Sequence, residues 1–232
     1  MASALSRRLR RAANWLDRRG VDERALARKT VGGLWDEMGK LQLDFLVSRG
    51  LQPSDTMLDV GCGALRGGVH FVRYLEPGHY FGIDRQQWLL DAGLAELADA
   101  GIPDRRPTLL LDNKFEFGRF NQTFDVALAQ SVFTHVGLNA VHRCLVKMGE
   151  VLRPGGVFYA TILENTKDPN FLGPIEFPQP DSGPAVTWSD NDPYCYHIRF
   201  FEDFVQGLPF KLENIGDWGS LRGQSMLAFH RL

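Results

Sequence analysis

Polar residues follow directly on each of a series of short apolar runs. Met57-Leu58-Asp59-Val60 feeds into Gly61-Cys62-Gly63, and His79–Ile83 ends in Asp84. Thr108–Leu111 ends in Asp112-Asn113, Phe124–Ala129 in Gln130-Ser131, and Val157–Leu163 in Glu164. Runs of this length, separated by helical patterns, read as strands of a parallel sheet. Open parallel sheets bind ligands beyond the carboxyl ends of their strands, which is where these side chains fall. Glycine lets the backbone turn sharply and approach a ligand closely. The first amides of the following helix favour a negative group at the same place. The Asp59 carboxylate can organise the amides of the turn or meet a cationic group of the ligand. A carboxylate at Asp84 can accept hydrogen bonds from both hydroxyls of a ribose, and Asp112 or Asn113 could read an adenine amine. Each acid alone could equally be a turn residue or a helix cap. Together, at successive strand ends, they point to a nucleoside-bearing ligand.

The elements that position them are legible around the loop. Leu34, Met38, Leu41 and Phe45 recur at helical spacing, with Trp35 and Leu46 beside them, and Gly50 can cap that helix. It precedes the glycine-loop strand, so Trp35, Lys40 and Gln42 are candidate contacts, with core packing the alternative for Trp35. Leu65, Val69, Val72 and Leu75 predict a helix opening at Leu65. Further helices follow through Trp88–Leu97 and Val141–Leu152, and Pro154-Gly155-Gly156 reads as a turn. Residues 164–198 are proline-rich and aperiodic but aromatic, and form an insert. Lys211–Ile215 and Ser225–His230, joined by Gly216–Gly223, read as a closing antiparallel pair at the sheet edge. Strands alternating with helices imply a parallel sheet covered on both faces.

The 232 residues, 44% hydrophobic with formal net charge −2, suit one α/β domain. Cys62, Cys144 and Cys195 lack the spacing of a disulfide frame or zinc site and read as reduced thiols of a cytoplasmic protein. No apolar run is long enough for a membrane span, and the arginine-rich start is not a signal peptide. Residues 1–33 are expected to be a basic helical arm, with Leu5, Leu9, Ala12, Ala13 and Leu16 on one face of a helix over 3–18. The arm either makes a weak peripheral contact with an anionic surface or is a solvated helix resting on the acidic remainder. Without interleaved aromatic residues, nucleic acid is not an expected partner.

LDVGCG, GID, LLLDN, FDVALAQS and LRPGG, in that order and over roughly residues 34–232, resemble the class I S-adenosylmethionine-dependent methyltransferase superfamily. The resemblance implies a three-layer α/β sandwich around a seven-stranded, mostly parallel, Rossmann-like sheet with an antiparallel last strand. It implies S-adenosylmethionine as cofactor and S-adenosylhomocysteine as product. Asp59, Gly61 and Gly63, with Cys62 between the glycines, would cradle the methionine end. Asp84 would bind ribose, Asp112 and Asn113 would flank adenine, and Gln130 would line the floor near the sulfonium. The family's loop often carries a third glycine where this chain has Leu65. Arg66 follows, as a partner for the methionine carboxylate or as a surface helix residue. A nicotinamide fingerprint, G-x-G-x-x-G, fits less well, because Arg66 stands at its third glycine.

A hydroxyl acceptor needs a base or a metal to become nucleophilic enough. No metal-ligand spacing is evident. His135, in SVFTHV after the fourth strand, is the nearest candidate base, since an imidazole titrates near neutrality; capping or supporting the loop is its alternative role. His197 and Glu164 are the other candidates. Gln130-Ser131-Val132-Phe133 departs from the Asn/Asp-Pro-Pro-aromatic motif of many amine-methylating enzymes. In the insert, Trp188, Tyr194 and Tyr196 offer flat apolar faces, and Asp181, Asp190, Asn191 and Asp192 offer hydrogen bonds. That mix suits a saccharide, and equally a phenolic or peptide-like metabolite. The expected reaction is methyl transfer to a hydroxyl of a small molecule or saccharide. The alternatives are a protein or nucleic-acid side chain held by the basic arm, or a cofactor-binding interaction module without turnover.

Overall fold

A computed structural model describes residues 22–105, 107–179 and 183–232. The expected helix over 3–18 and Asp181 lie outside them. The elements are α1 (Glu23–Thr30), α2 (Trp35–Ser48), β1 (Met57–Val60), α3 (Gly68–Tyr74), β2 (Tyr80–Asp84), α4 (Gln87–Asp99), β3 (Thr108–Leu111) and β4 (Phe124–Ala129). They continue with α5 (Leu138–Val151), β5 (Leu152–Glu164), β6 (Ile175–Phe177), β7 (Ala185–Thr187), β8 (Cys195–Tyr196), α6 (Arg199–Val205), β9 (Phe210–Asp217) and β10 (Ser225–Arg231).

The main sheet runs in the order β3-β2-β1-β4-β5-β10-β9. β1 pairs in parallel with β2 and β4, and β4 in parallel with β5. β10 is antiparallel to both β5 and β9. This is the expected seven-stranded Rossmann-like sheet with an antiparallel last strand, although β10 lies inside the sheet and β9 forms its edge. All of β1 is buried, as befits a central strand covered on both faces. One face packs Val141, Cys144, Leu145 and Met148 of α5 against Phe133, Phe158, Phe201 and Phe229. The other packs Met38 and Leu46 of α2, Val69 and Phe71 of α3 and Leu90 of α4 over Met57, Leu128 and Met226.

Two local expectations change. Pro154-Gly155-Gly156 is an irregularity inside β5 rather than a turn before it: Leu152 already pairs with Phe124, and the register shifts before Val126 meets Val157. The insert is also more ordered than its prolines suggest. β6 and β7 form a separate antiparallel hairpin, and β8 adds to the end of β5 through Leu163–Cys195 and Glu164–Tyr196.

Candidate functional site

The glycine turn is tied to the end of β2 before any ligand is considered. Gly61 and Cys62 both donate from their backbone N to the Ile83 carbonyl, at 2.7 and 3.1 Å. Asp84 completes the clasp: Oδ2 accepts from the Gly63 amide at 3.0 Å and Oδ1 from the Gln86 amide at 2.8 Å. Burial pushes the Asp84 carboxyl above its ordinary range, against the pull of the Gln86 and Gly63 amides. Gly61 (φ +72°) and Gly63 (φ +55°) both occupy the left-handed region. Asp59 is 4% exposed beneath them and accepts from the Tyr80 hydroxyl at 2.6 Å. Burial pushes its carboxyl up to about 7, with the Tyr80 hydrogen bond opposing and the charge of Asp84 adding to the rise. The Cys62 thiol is buried against Gly82, and burial raises its pKa well above the ordinary value, so it packs rather than reacts.

Leu65 and Arg66 depart from the helix expected to open there. Leu65 sits at φ +63°, and α3 begins only at Gly68. A left-handed residue with a Cβ costs about 1–2 kcal/mol. Complete burial of the leucine side chain returns roughly 1.5–3 kcal/mol, which outweighs it. Gly68 and Gly93 make the room, since a Cβ on either would stand within 2.8 Å of Leu65. Arg66 is buried rather than on the surface. Its Nη1 donates to the Val31 and Gly33 carbonyls at 2.7 and 2.9 Å, and its Nε has no partner among the described residues. Burial first, and then the nearby charge of Arg222, lower its pKa to about 10, with Asp59 opposing. Arg222, from the β9–β10 link, donates to Gln179 Oε1 at 2.6 Å and to the Gly32 carbonyl, and among the described residues its Nε has no partner. Among the described residues neither guanidinium meets a carboxylate.

Residues 22–33 are docked on the domain as a strap. Asp22 caps α1 by accepting from the Arg24 amide. Arg24 and Arg28 both fork onto Glu96 of α4 at 2.7–2.8 Å, and the glutamate is only 3% exposed. The Arg28 guanidinium also lies 4.6 Å over the Trp35 ring. Near its end the strap carries Val31, whose Cγ1 is 2.7 Å from where a Cβ on Gly63 would stand; Val132 Cγ2 is 2.5 Å from the same point on Gly61. These two valines fill the space over the turn. The surface clefts lined by Arg49, Arg153 and Tyr159, and by Glu202, Phe210 and Asn214, lie elsewhere.

The clamp has a defined pH window. Burial alone would raise the Glu96 pKa, but hydrogen bonds from Arg28 and Arg24 outweigh it and the net shift is downward. A depressed carboxylate stabilises the docked strap above its unfolded pKa of about 4.3, and that contribution is lost as pH falls through the folded value. Glu96→Gln is therefore expected to raise hydrogen exchange of the 23–33 amides about tenfold or more at neutral pH. The β1 and β4 amides should be unchanged. Unaltered exchange in the strap would show that the ion pairs do not hold it.

The remaining sequence candidates separate by their contacts. The Asp112 carboxylate organises the loop after β3, accepting from the Lys114 and Glu116 amides at 2.7 and 3.2 Å, while Asn113 is exposed. Gln130 and Ser131 join a buried network with Thr161 and Gln224 at the ends of β4 and β5. His135 Nδ1 is hydrogen-bonded to the Asp192 carboxylate of the insert, and Nε2 has no hydrogen-bond partner among the described residues. The insert is fastened around it: the Tyr194 amide donates to the Thr134 carbonyl at 2.7 Å, and the Tyr196 hydroxyl to the Val136 carbonyl at 2.6 Å. His197 Nδ1 instead accepts from the Arg199 amide at the start of α6, and Glu164 accepts from Asn214 on β9 at 3.1 Å. Trp35 lies under Arg28, Lys40 pairs with Asp44 on the surface, and Gln42 is buried and donates to the Met38 carbonyl. Sequence reasoning allowed a basic helix resting on the acidic remainder but missed its anchor Glu96, and it missed Arg222 and Gln224. The successive glycines Gly32-Gly33, both at positive φ, were the one available signal for the strap.

A doubly wound sheet with a glycine turn at the reversal between β1 and β4, and an acid at the end of β2 clasping that turn, defines a Rossmann-like protein of the nucleoside-cofactor class. A family model described as a methyltransferase domain matches residues 58–158. The probable methyltransferase ltbC of Aspergillus luteorubrus is 30% identical over 115 residues; the match spans 46% of this chain and 39% of that relative. Magnesium protoporphyrin IX methyltransferase of Synechocystis PCC 6803 has a similar structure, with TM-score 0.61 and 13% identity over 85% of each chain. The CcbJ methyltransferase of Streptomyces caelestis has TM-score 0.62 and 14% identity over 83% of this chain and 89% of its own. The matched segment and these folds are those of methyltransferases, as the resemblance to the class I S-adenosylmethionine-dependent superfamily implies.

Proposed function

We propose that this protein is an S-adenosylmethionine-dependent methyltransferase acting on a hydroxyl of a small molecule or saccharide. The observation that carries the reading is the Asp84 carboxylate at the end of β2, bonded to the Gly63 amide of the turn that follows β1. The residues present fit the cofactor. Gly61 and Gly63 let the turn pack against Val132 and Val31, where a Cβ would collide, and Asp59 and Arg66 are buried charges next to it that would meet the methionine end. When bound, the cofactor supplies a methyl group already activated on a sulfonium, so the protein's task is positioning and proton removal. Asp84 would hold the ribose hydroxyls, and Asp112 and Asn113 would flank the adenine. Arg66, with Arg222 beside it, would exchange strap carbonyls for the carboxylate, and Cys62 would support the turn by packing. Gln130 would line the floor. His135, oriented through Nδ1 by Asp192, would take the acceptor's proton at Nε2. His197 and Glu164 are weaker base candidates, because each is held by α6 or β9.

A macromolecular acceptor gripped by the basic arm is less favoured. Arg24 and Arg28 are already committed to Glu96. No helix among the described residues is long and apolar enough to cross a membrane.

The test is calorimetric titration with S-adenosylhomocysteine, followed by a cofactor-turnover screen across hydroxylated, amino and carboxylate acceptors. Micromolar binding and turnover confined to hydroxylated acceptors are expected; no binding would overturn the reading. A pH series adds a sharper check. With its carboxyl pushed up to about 7, Asp59 is protonated below that pH and cannot pair with the ligand's ammonium group. Affinity should rise about tenfold per pH unit up to about 7 and then level off. Asp59→Asn should flatten the slope, and a wild-type profile that is flat from pH 5.5 to 8 would remove Asp59 from that role.

A further inference from the structure

Three consecutive carbonyls of the strap turn onto two arginines. Arg66 Nη1 donates to the Val31 and Gly33 carbonyls, and Arg222 Nη2 to the Gly32 carbonyl between them. The backbone is bent to do this: Gly32 (φ +97°), Gly33 (φ +63°) and Leu34 (φ +45°) are all left-handed. For Leu34, which carries a Cβ, that conformation costs about 1–2 kcal/mol. The two guanidiniums face one another across Gly32, where a Cβ would stand 3.5 Å from Arg66 Nη1 and 3.8 Å from Arg222 Cζ. Arg222 reaches a third element as well, since its Nη1 donates to Gln179 Oε1 of the insert at 2.6 Å.

The bonds are made but the charge is not matched. Neither guanidinium forms an ion pair among the described residues, and Arg66 is only 7% exposed. Carbonyls satisfy N–H donors without bringing a negative charge, and a buried charge lacking an opposite one is costly. A carboxylate supplies that charge together with two oxygens in the geometry a guanidinium prefers. It therefore outcompetes the strap carbonyls, and the strained left-handed run can relax when they leave.

We propose that Arg66 and Arg222 form an autoinhibitory latch, in which the carbonyls of residues 31–33 occupy the place of the cofactor's carboxylate and are expelled when it binds. This rests on the methyltransferase reading and adds the regulation of its site. The Glu96 clamp keeps α1 on the domain while the tip of the strap lets go, with Gly32-Gly33-Leu34 as the hinge. Because Arg222 also carries Gln179, the same exchange unties the insert from the strap. Arrival of the cofactor thus loosens the cover over the acceptor, and the binding order is cofactor first, acceptor second.

The test is hydrogen exchange on the full chain with S-adenosylhomocysteine and with its decarboxylated analogue, which keeps the adenosine, the sulfur and the amine but lacks the anion. Calorimetry sets both at saturating concentration. Both ligands are expected to slow exchange of the 61–66 amides, which reports binding. Only S-adenosylhomocysteine is expected to speed exchange at residues 31–33, whose amides donate to the Ala27, Lys29 and Arg28 carbonyls, by about fivefold or more. Exchange at residues 175–179 of the insert should rise with it. Arg222→Ala should confine the change to the strap, and a rise in the insert of that variant would overturn the coupling. Glu96→Gln loosens the strap without touching either arginine, so it should tighten S-adenosylhomocysteine about threefold or more, which keeps the proposal testable if Arg222→Ala fails to fold. Strap exchange that is unchanged, slowed, or raised equally by both ligands overturns the latch and leaves the methyltransferase reading standing, as does unaltered affinity in Glu96→Gln. If the wild-type chain binds neither ligand, the methyltransferase reading itself falls and the latch with it.

Discussion

Asp84→Ala is expected to weaken S-adenosylhomocysteine binding by about 100-fold or more. Hydrogen bonds to a charged group are each worth about 1.5–3 kcal/mol, and a carboxylate holding both ribose hydroxyls loses two of them. At 1.4 kcal/mol per tenfold, two such bonds exceed 100-fold. The loss is compounded because the same carboxylate holds the Gly63 and Gln86 amides, so the turn loses its clasp along with the ligand. Asp84→Asn separates the two effects. Its one carbonyl oxygen can keep one of the two amide bonds but cannot accept from both, so an intermediate loss of about tenfold is expected. Calorimetry measures both, with thermal melting to show that each variant is folded. Undiminished binding in folded Asp84→Ala would retire the ribose assignment.

Asp84 also shows why the strand ends and the glycine turn could be read from the sequence. A strand ending in an acid, a glycine turn before it and apolar periodicity around both are local patterns, and the sheet assembles them without further information. Leu65 was opaque for the opposite reason. Its left-handed backbone is tolerated only because Gly68 and Gly93, one beside it and one on another helix, leave room for the side chain. No single stretch of sequence records that three-way fit. The strap was hidden in the same way. Arg24 and Arg28 looked like a solvated charge run, and the buried glutamate that pairs with them lies on α4. Nor does anything local to Gln224 or Arg222 mark them, since each acquires its role by closing against residues from β4, β5, the insert or the strap.

The proposed acceptor end depends on such long-range closures, and the sharpest of them is the pairing of His135 with Asp192. His135→Ala is expected to lower turnover by roughly 10²–10⁴-fold, the range for removing a general base. The Kd for S-adenosylhomocysteine should stay within about twofold, because the side chain sits beyond the glycine turn, on the 3₁₀ turn after β4. The two measurements together distinguish a base from a support. A histidine that only holds its loop would, when removed, loosen the Thr134–Tyr194 contact, lower the melting temperature and weaken ligand binding in step with turnover. A base would leave binding and melting in place and lose the chemical step alone. Added imidazole should then restore part of the lost rate, since it can occupy the vacated space and take the proton. Asp192→Asn should fall between wild type and His135→Ala: the amide can still orient Nδ1 but no longer stabilises the imidazolium that forms. Equal turnover in wild type and His135→Ala would retire the base, and would leave Asp192 as no more than a fastening of the insert.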